Sequence, residues 1–175
     1  MEIRTAPAGD APGIATVQVE TWRVAYRGQV PDAHLDALSI DDRTGRWRHI
    51  LADSEPPSRV AIVADDGHAV VGFAHIGECR DADAAPEVGE LNALYVLPGH
   101  WDTGVGRRLI EAAEARLAAA GFASATLWVL DSNARGRRFY EAAGWAPDGA
   151  TQLTAIGDEL VPETRYRKAM ALPPR

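Results

Sequence analysis

The segment from Glu90 to Ala120, "ELNALYVLPGHWDTGVGRRLIEAAEARLAAA", changes its period once. From 90 to 97 the residues alternate as in a strand. Leu91, Ala93, Tyr95 and Leu97 take one face, and Glu90, Asn92, Leu94 and Val96 the other. From 105 onward, Val105, Leu109, Ala113, Leu117 and Ala120 recur at helical spacing until Gly121 stops the run. Pro98 and a glycine-bearing turn make the switch. A strand that feeds a helix this abruptly aims the first helical N–H groups at one point. Those groups have no partner within the helix, and the helix dipole makes that end positive, so the turn suits an anion. Arg107 and Arg108 oppose the dipole. They are either solubilising surface charges or partners of a bound polyanion.

The turn excludes two familiar phosphate binders. A triphosphate loop ends in Gly-Lys-Ser/Thr, which is missing here, and a dinucleotide fingerprint needs a glycine where Leu109 stands. A net charge of −7 argues against a general nucleic-acid binder. A single cysteine, Cys79, and scattered histidines leave no metal-ligand pattern, so no metal is expected. "MEIRTAPAGD" carries no basic-then-apolar leader, and no apolar run has membrane-spanning length, so the reading is cytoplasmic with no membrane partner.

Residues 1–175 read as a single domain of α+β class, with hairpin strands first and β-α-β-α afterwards. "MEIRTA" reads as a strand. Residues 9–28 read as a helix capped by Asp10, with two apolar stripes instead of one. Ile14, Val17, Val24 and Ala25 form the first, and Ala15, Val19, Trp22 and Tyr26 the second. The second stripe meets another helix or lines a pocket. If it lines a pocket, Trp22 and Tyr26 can hold an ammonium or apolar group by cation–π contact. Two short helices follow, then a hairpin turning at Asp66-Gly67, the acidic loop "DADAAPE", the strand–turn–helix segment and the strand "FASATLWVLD". "SNARGRRFYEAAGW" reads as a helix that puts Asn133 and Tyr140 on one face, seven residues apart. Asn133 caps that helix or binds a ligand amide. Tyr140 is either an ordinary core residue or a neutral phenol able to donate a proton. "ETRYRKAM" closes the chain as a strand.

These pieces, in this order, resemble the GNAT superfamily of acyl-CoA-dependent N-acetyltransferases. The resemblance is carried by "LNALYVLP", "WDTGVGRRL", "NARGRRFYEAAGW" and "ETRYRKAM", with "ETWRVAYRGQVP" like one subgroup. It implies a mixed, mostly antiparallel central sheet of six to seven strands, splayed in the middle and flanked by helices, with acetyl-CoA as co-substrate in the splay. It further implies that the backbone of Leu94, Tyr95 and Val96 holds the pantetheine and acetyl carbonyl. Trp101, Asp102, Thr103, Gly104, Val105, Gly106 and Arg107 would hold the pyrophosphate. Asn133 would bind the cofactor, and Tyr140 would protonate the departing thiolate. Trp101 and Asp102 depart from the family's usual Gln/Arg-Gly, and Asp102 sets a negative charge beside a polyanion. Replacing Asp102 with Gly is therefore expected to tighten acetyl-CoA binding.

The chemistry implied is acetyl transfer to a primary amine of a small molecule or peptide. The amine arrives protonated, so a base must act on it, directly or through water. Glu90 is the first candidate, read as sharing a face with Leu94 and Val96. At ~3.3 Å per residue it lies about 13 Å from the Leu94 region, which calls for a water relay. Glu163 is the second candidate and can instead hold a cationic substrate. The alternative from another class is a non-catalytic acyl-CoA-binding module. A homodimer is left open.

Overall fold

The computed structural model describes residues 1–171. In chain order, the elements are β1 (Glu2–Thr5), α1 (Ala11–Ala25), α2 (Asp32–Asp36), α3 (Ile40–Ala52), β2 (Val60–Asp65), β3 (Val70–Glu78), β4 (Val88–Val96), α4 (Val105–Ala119), β5 (Ser124–Leu130), α5 (Ala134–Ala142), β6 (Ala146–Ile156) and β7 (Glu159–Ala169). The seven strands form one sheet in the order β1-β2-β3-β4-β5-β7-β6. Every neighbouring pair is antiparallel except β4 and β5, which α4 joins as a parallel pair. A parallel pair needs a crossover, and the helical period read over 105–120 supplies it.

The helices cover both faces of the sheet. On one face, Leu109, Ala113 and Leu117 of α4 pack on Ile62, Ala74, Ile76 and Leu91. On the other, Ile14 and Val17 of α1 and Trp47 of α3 pack on Val63 and Phe73. The second stripe of α1 divides. Ala15 joins the sheet, while Val19 and Tyr26 join Leu35, Leu38, Leu130 and Ile156 in a separate cluster. That division explains the helix's unusual apolar width. Val24, read as part of the first stripe, is instead 54% exposed. Asp10 is not a side-chain cap, because its carboxylate is held by Arg4, which also bonds Asp65 across β2.

Two features depart from the sequence reading. Residues 146–156 form an edge strand for which no element was expected; it pairs with β7 in a long hairpin. Strand β4 is also not a regular alternation. Ala93 pairs with His75 and Leu91 with Ile76, leaving Asn92 as an extra residue in a bulge. An extra residue reverses the facing of everything beyond it. Leu91 therefore lies with Leu94 and Val96 on the α4 face, while Ala93 and Tyr95 lie on the α1 face. By the same alternation, Glu90 shares its face with Ala93 and Tyr95, not with Leu94 and Val96 as the sequence reading had it.

Candidate active site

Strands β4 and β5 pair only over Val88–Glu90 and Ser124–Thr126. Beyond the bulge they part, and a cleft of about 1090 Å³ opens between them. It is bounded by α1, the α4 turn, α5 and the β6–β7 hairpin. The Leu97 N–H donates to Val71 O at 2.9 Å. Antiparallel alternation then commits the peptide groups of Tyr95 and Ala93 to β3, and turns those of Leu94 and Val96 toward the cleft. Tyr95 therefore meets the cleft with its side chain, not its backbone, which corrects one part of the expected backbone cradle. The Val96 carbonyl is already taken, by the Trp101 indole N–H at 2.7 Å and the Thr21 hydroxyl at 3.1 Å.

The α4 turn is built as a donor nest. Gly104 occupies the N-cap with φ +88°, a conformation that favours glycine, and offers no capping side chain. The first intrahelical bond runs from Arg108 N–H to Gly104 O, so the amides of Val105, Gly106 and Arg107 have no helical acceptor. Gly106 lets the turn approach Phe139 closely: a Cβ there would sit 3.2 Å from the ring, tighter than an ordinary contact. The Val105 side chain is core, and Thr103 spends its hydroxyl on His100 O; neither side chain lines the cleft. Arg107 pairs with Glu111 along the helix surface. Asp102 adopts φ +60°, has an 87% exposed side chain at the mouth of the cleft, and pairs with Arg135 at 2.8 Å. The Arg135 guanidinium also stacks over Trp101, 4.4 Å from the ring centroid. The negative charge expected to oppose a polyanion thus stands at the exposed rim of the cleft, countered by Arg135.

On α5, Asn133 settles as the cap, its Oδ1 accepting from Gly136 N–H at 2.9 Å. Its amide nitrogen makes no hydrogen bond to any described residue, and the residue lines the cleft. Tyr140 packs edge-on to Phe139 and lines the cleft, with no hydrogen bond from its hydroxyl to a described residue. Burial, and secondarily the nearby Tyr95, pushes its phenol well above the usual tyrosine range, so it stays protonated at neutral pH.

The far end of the cleft is aromatic. Trp22 meets Tyr26 edge-on at 5.0 Å and lies 6.3 Å from both Tyr95 and His34. Burial raises both the Tyr26 and Tyr95 phenols. The Trp22 indole N–H is buried near the Tyr95 hydroxyl but lacks hydrogen-bond geometry to it, and the Asn92 amide nitrogen is also buried without a partner among the described residues. Glu163 reaches the cleft from β7, one oxygen accepting from Gln152 and Thr154. Glu90 also lines the cleft but is 3% exposed and firmly held. Arg80 donates to it from its backbone N–H, Nε and a terminal nitrogen, at 3.0, 3.1 and 2.6 Å.

The fold thus gathers every expected site side chain into one cleft except those of Thr103 and Val105. It adds Arg43, Arg80, Asn92, Trp128 and Arg135, which the sequence reading did not single out. Two of these had a signal. Arg43 sits one turn before Trp47 on the apolar side of α3, and Arg135 opposes the dipole in the first turn of α5 just as Arg107 does in α4.

The family model described as "Acetyltransferase (GNAT) family" matches residues 18–145. YuaI of Bacillus subtilis (strain 168), described as an uncharacterized N-acetyltransferase, is 30% identical over 131 residues, covering 75% of this chain and 72% of its own. The PaiA N-acetyltransferase from Thermoplasma acidophilum, solved in complex with coenzyme A, superposes with a TM-score of 0.78 at 19% identity, covering 96% of this chain and 98% of that one. The yncA acetyltransferase structure from Salmonella typhimurium, with acetyl-CoA, gives 0.73 at 18% identity over 100% of this chain and 96% of that one. The family match begins within α1, ends just beyond α5 and encloses the diverging strands and the donor nest; the chain belongs to the GNAT family of acetyltransferases.

Proposed function

We propose that this acetyltransferase moves an acetyl group from acetyl-CoA directly to the primary amine of a small molecule or peptide, within the cleft between β4 and β5. The observation that carries this reading is the divergence of those strands, which turns the Leu94 and Val96 peptide groups toward the cleft that the α4 nest and Tyr140 also face. The uncapped amides of Val105, Gly106 and Arg107 receive the diphosphate, with Arg107 and Arg135 nearby. Asn133 donates its amide nitrogen to the cofactor. The Leu94 and Val96 N–H groups receive the charge that develops on the thioester oxygen.

Glu90 takes the amine proton through water. Three of its lone pairs are held by Arg80, which orients the carboxylate. The amine lone pair forms the new C–N bond as the C–S bond breaks, the electron pair leaves on sulfur, Tyr140 protonates it, and the second proton shed by the acylated nitrogen restores the Tyr140 phenol through solvent. Glu163 and the Trp22–Tyr26 pair orient the incoming ammonium.

The test is thiol release from acetyl-CoA over a panel of amines. Tyr140→Phe is expected to lower kcat by about 10²-fold or more, the usual worth of a general acid, while leaving coenzyme A affinity near wild type. An unchanged kcat would remove Tyr140 from the mechanism. Coenzyme A binding without turnover on any amine would return the protein to the role of a non-catalytic acyl-CoA-binding module.

A further inference from the structure

Four arginines line the cleft besides Arg43. Arg80 is paired with Glu90, Arg107 with Glu111 and Arg135 with Asp102. Arg138 is exposed on α5, beside the residues assigned to the diphosphate. Arg23, packed behind the aromatic wall, is not part of this set; it donates to Leu35 O and Leu38 O. Arg43 differs from all of these. It projects from α3 into the aromatic end of the cleft, is partly buried, and makes no ion pair or side-chain hydrogen bond with any described residue. Burial disfavours its charge and Arg46 adds like-charge repulsion; only the Tyr95 phenol leans the other way. An uncompensated guanidinium beside apolar rings is costly to keep, and a guanidinium is the side chain best shaped to grip a carboxylate. Trp22 lines the same cleft, and its indole N–H is a buried donor without an acceptor among the described residues. Glu163, reaching the cleft from β7, supplies its single lining carboxylate that no arginine or lysine pairs among the described residues.

We propose that the acceptor is itself amphoteric: a primary amine whose own molecule carries a carboxylate, as a free amino acid does. The carboxylate is held by Arg43 with help from the Trp22 N–H, and the ammonium end lies toward Glu163. This assignment rests on the acetyl-transfer reading above and narrows it. The products are the N-acetylated acid and the free thiol of coenzyme A, with the amine proton lost to the base and the sulfur protonated by the acid. An acceptor made only of amines would place a further positive charge against Arg43 and leave it without a counter-ion.

The experiment sets each of several L-amino acids against its own amide and its own decarboxylated amine, reading thiol release and, separately, coenzyme A affinity by calorimetry. Wild-type protein is expected to favour the carboxylate-bearing member in kcat/KM by at least about tenfold, the worth of one charge-assisted pair. Arg43→Met is expected to bring that ratio to within a few-fold of one, chiefly through KM, and Arg43→Lys to restore part of it. Equal or better turnover of the carboxylate-free amines by wild-type protein overturns the proposal and leaves acetyl transfer standing, and this comparison needs no variant to fold. A ratio unmoved by Arg43→Met in protein with wild-type melting behaviour overturns it too. Coenzyme A binding with no thiol release on any amine overturns both the proposal and the reading beneath it.

Discussion

Asp102 shows how a single residue can carry two opposed effects. Its charge lies next to the nest assigned to a diphosphate, yet its left-handed backbone turns the carboxylate into solvent, where it engages Arg135. The residue thus withholds an arginine more than it repels a ligand. Asp102→Asn keeps a residue type that tolerates positive φ while removing the charge. It is expected to lower the coenzyme A dissociation constant about two- to fivefold, the range of one exposed ion pair, as measured by calorimetry. Weaker binding would mean that Asp102 holds Arg135 in a productive place. The presence of an aspartate was legible in the sequence; its direction was not, because direction depends on a φ angle and on a partner from α5. Glu90 is the parallel case. Its presence on the strand was legible, but its facing was reversed by a bulge one residue wide.

At the scale of elements, the acidic loop between β3 and β4 carries the lesson. Read along the chain, "DADAAPE" is a solvated charge run. In the fold, Asp81 and Asp83 clamp onto Arg165 of β7, which also holds Asp148 of β6. Asp81 further accepts from the Trp128 indole on β5 at 3.0 Å. The cluster pins the loop that presents Arg80 and Glu90 to the strands on the other side of the cleft. Arg165 is 7% exposed, so Arg165→Met leaves the partly buried Asp81 without its cation and Asp148 with Arg167 alone, and is expected to cost about 3 kcal/mol in denaturant unfolding. Asp83→Asn is the contrast. Its side chain is 70% exposed, and its loss should leave stability nearly unchanged. Equal costs would show that burial does not set the worth of this cluster. Helix α5 was more legible. Asn133, the glycine stop and the Tyr140 face were all readable, because caps and helical periodicity are local.

For the whole molecule, stability is expected to depend on pH through a residue outside the cleft. His75 of β3 lies under α3, edge-on to Trp47 at 5.6 Å. Burial first, and then the positive charges of Arg80 and Arg59 against the opposing Glu90, push its imidazole down to about 4. An unfolded histidine titrates near 6.5, so between those values the unfolded chain binds more protons than the folded one. The contribution is complete above about pH 6.5 and is lost as pH falls toward 4, up to about 3 kcal/mol in all. Between about pH 7.5 and 4, wild type should lose up to about 3 kcal/mol more stability than His75→Phe; parallel curves would contradict it. What the sequence alone determined was the local order: the strand–turn–helix switch, the donor nest, the α5 cap and the family pattern they compose. Each depends on spacings within a few residues. What only the tertiary structure decided was the facing of Glu90, the direction of Asp102, the clamp on Arg165 and the unpaired state of Arg43. Each depends on atoms brought together from strands and helices far apart in the chain, and linear periodicity carries no information about a bulge's phase or about which charge finds a partner.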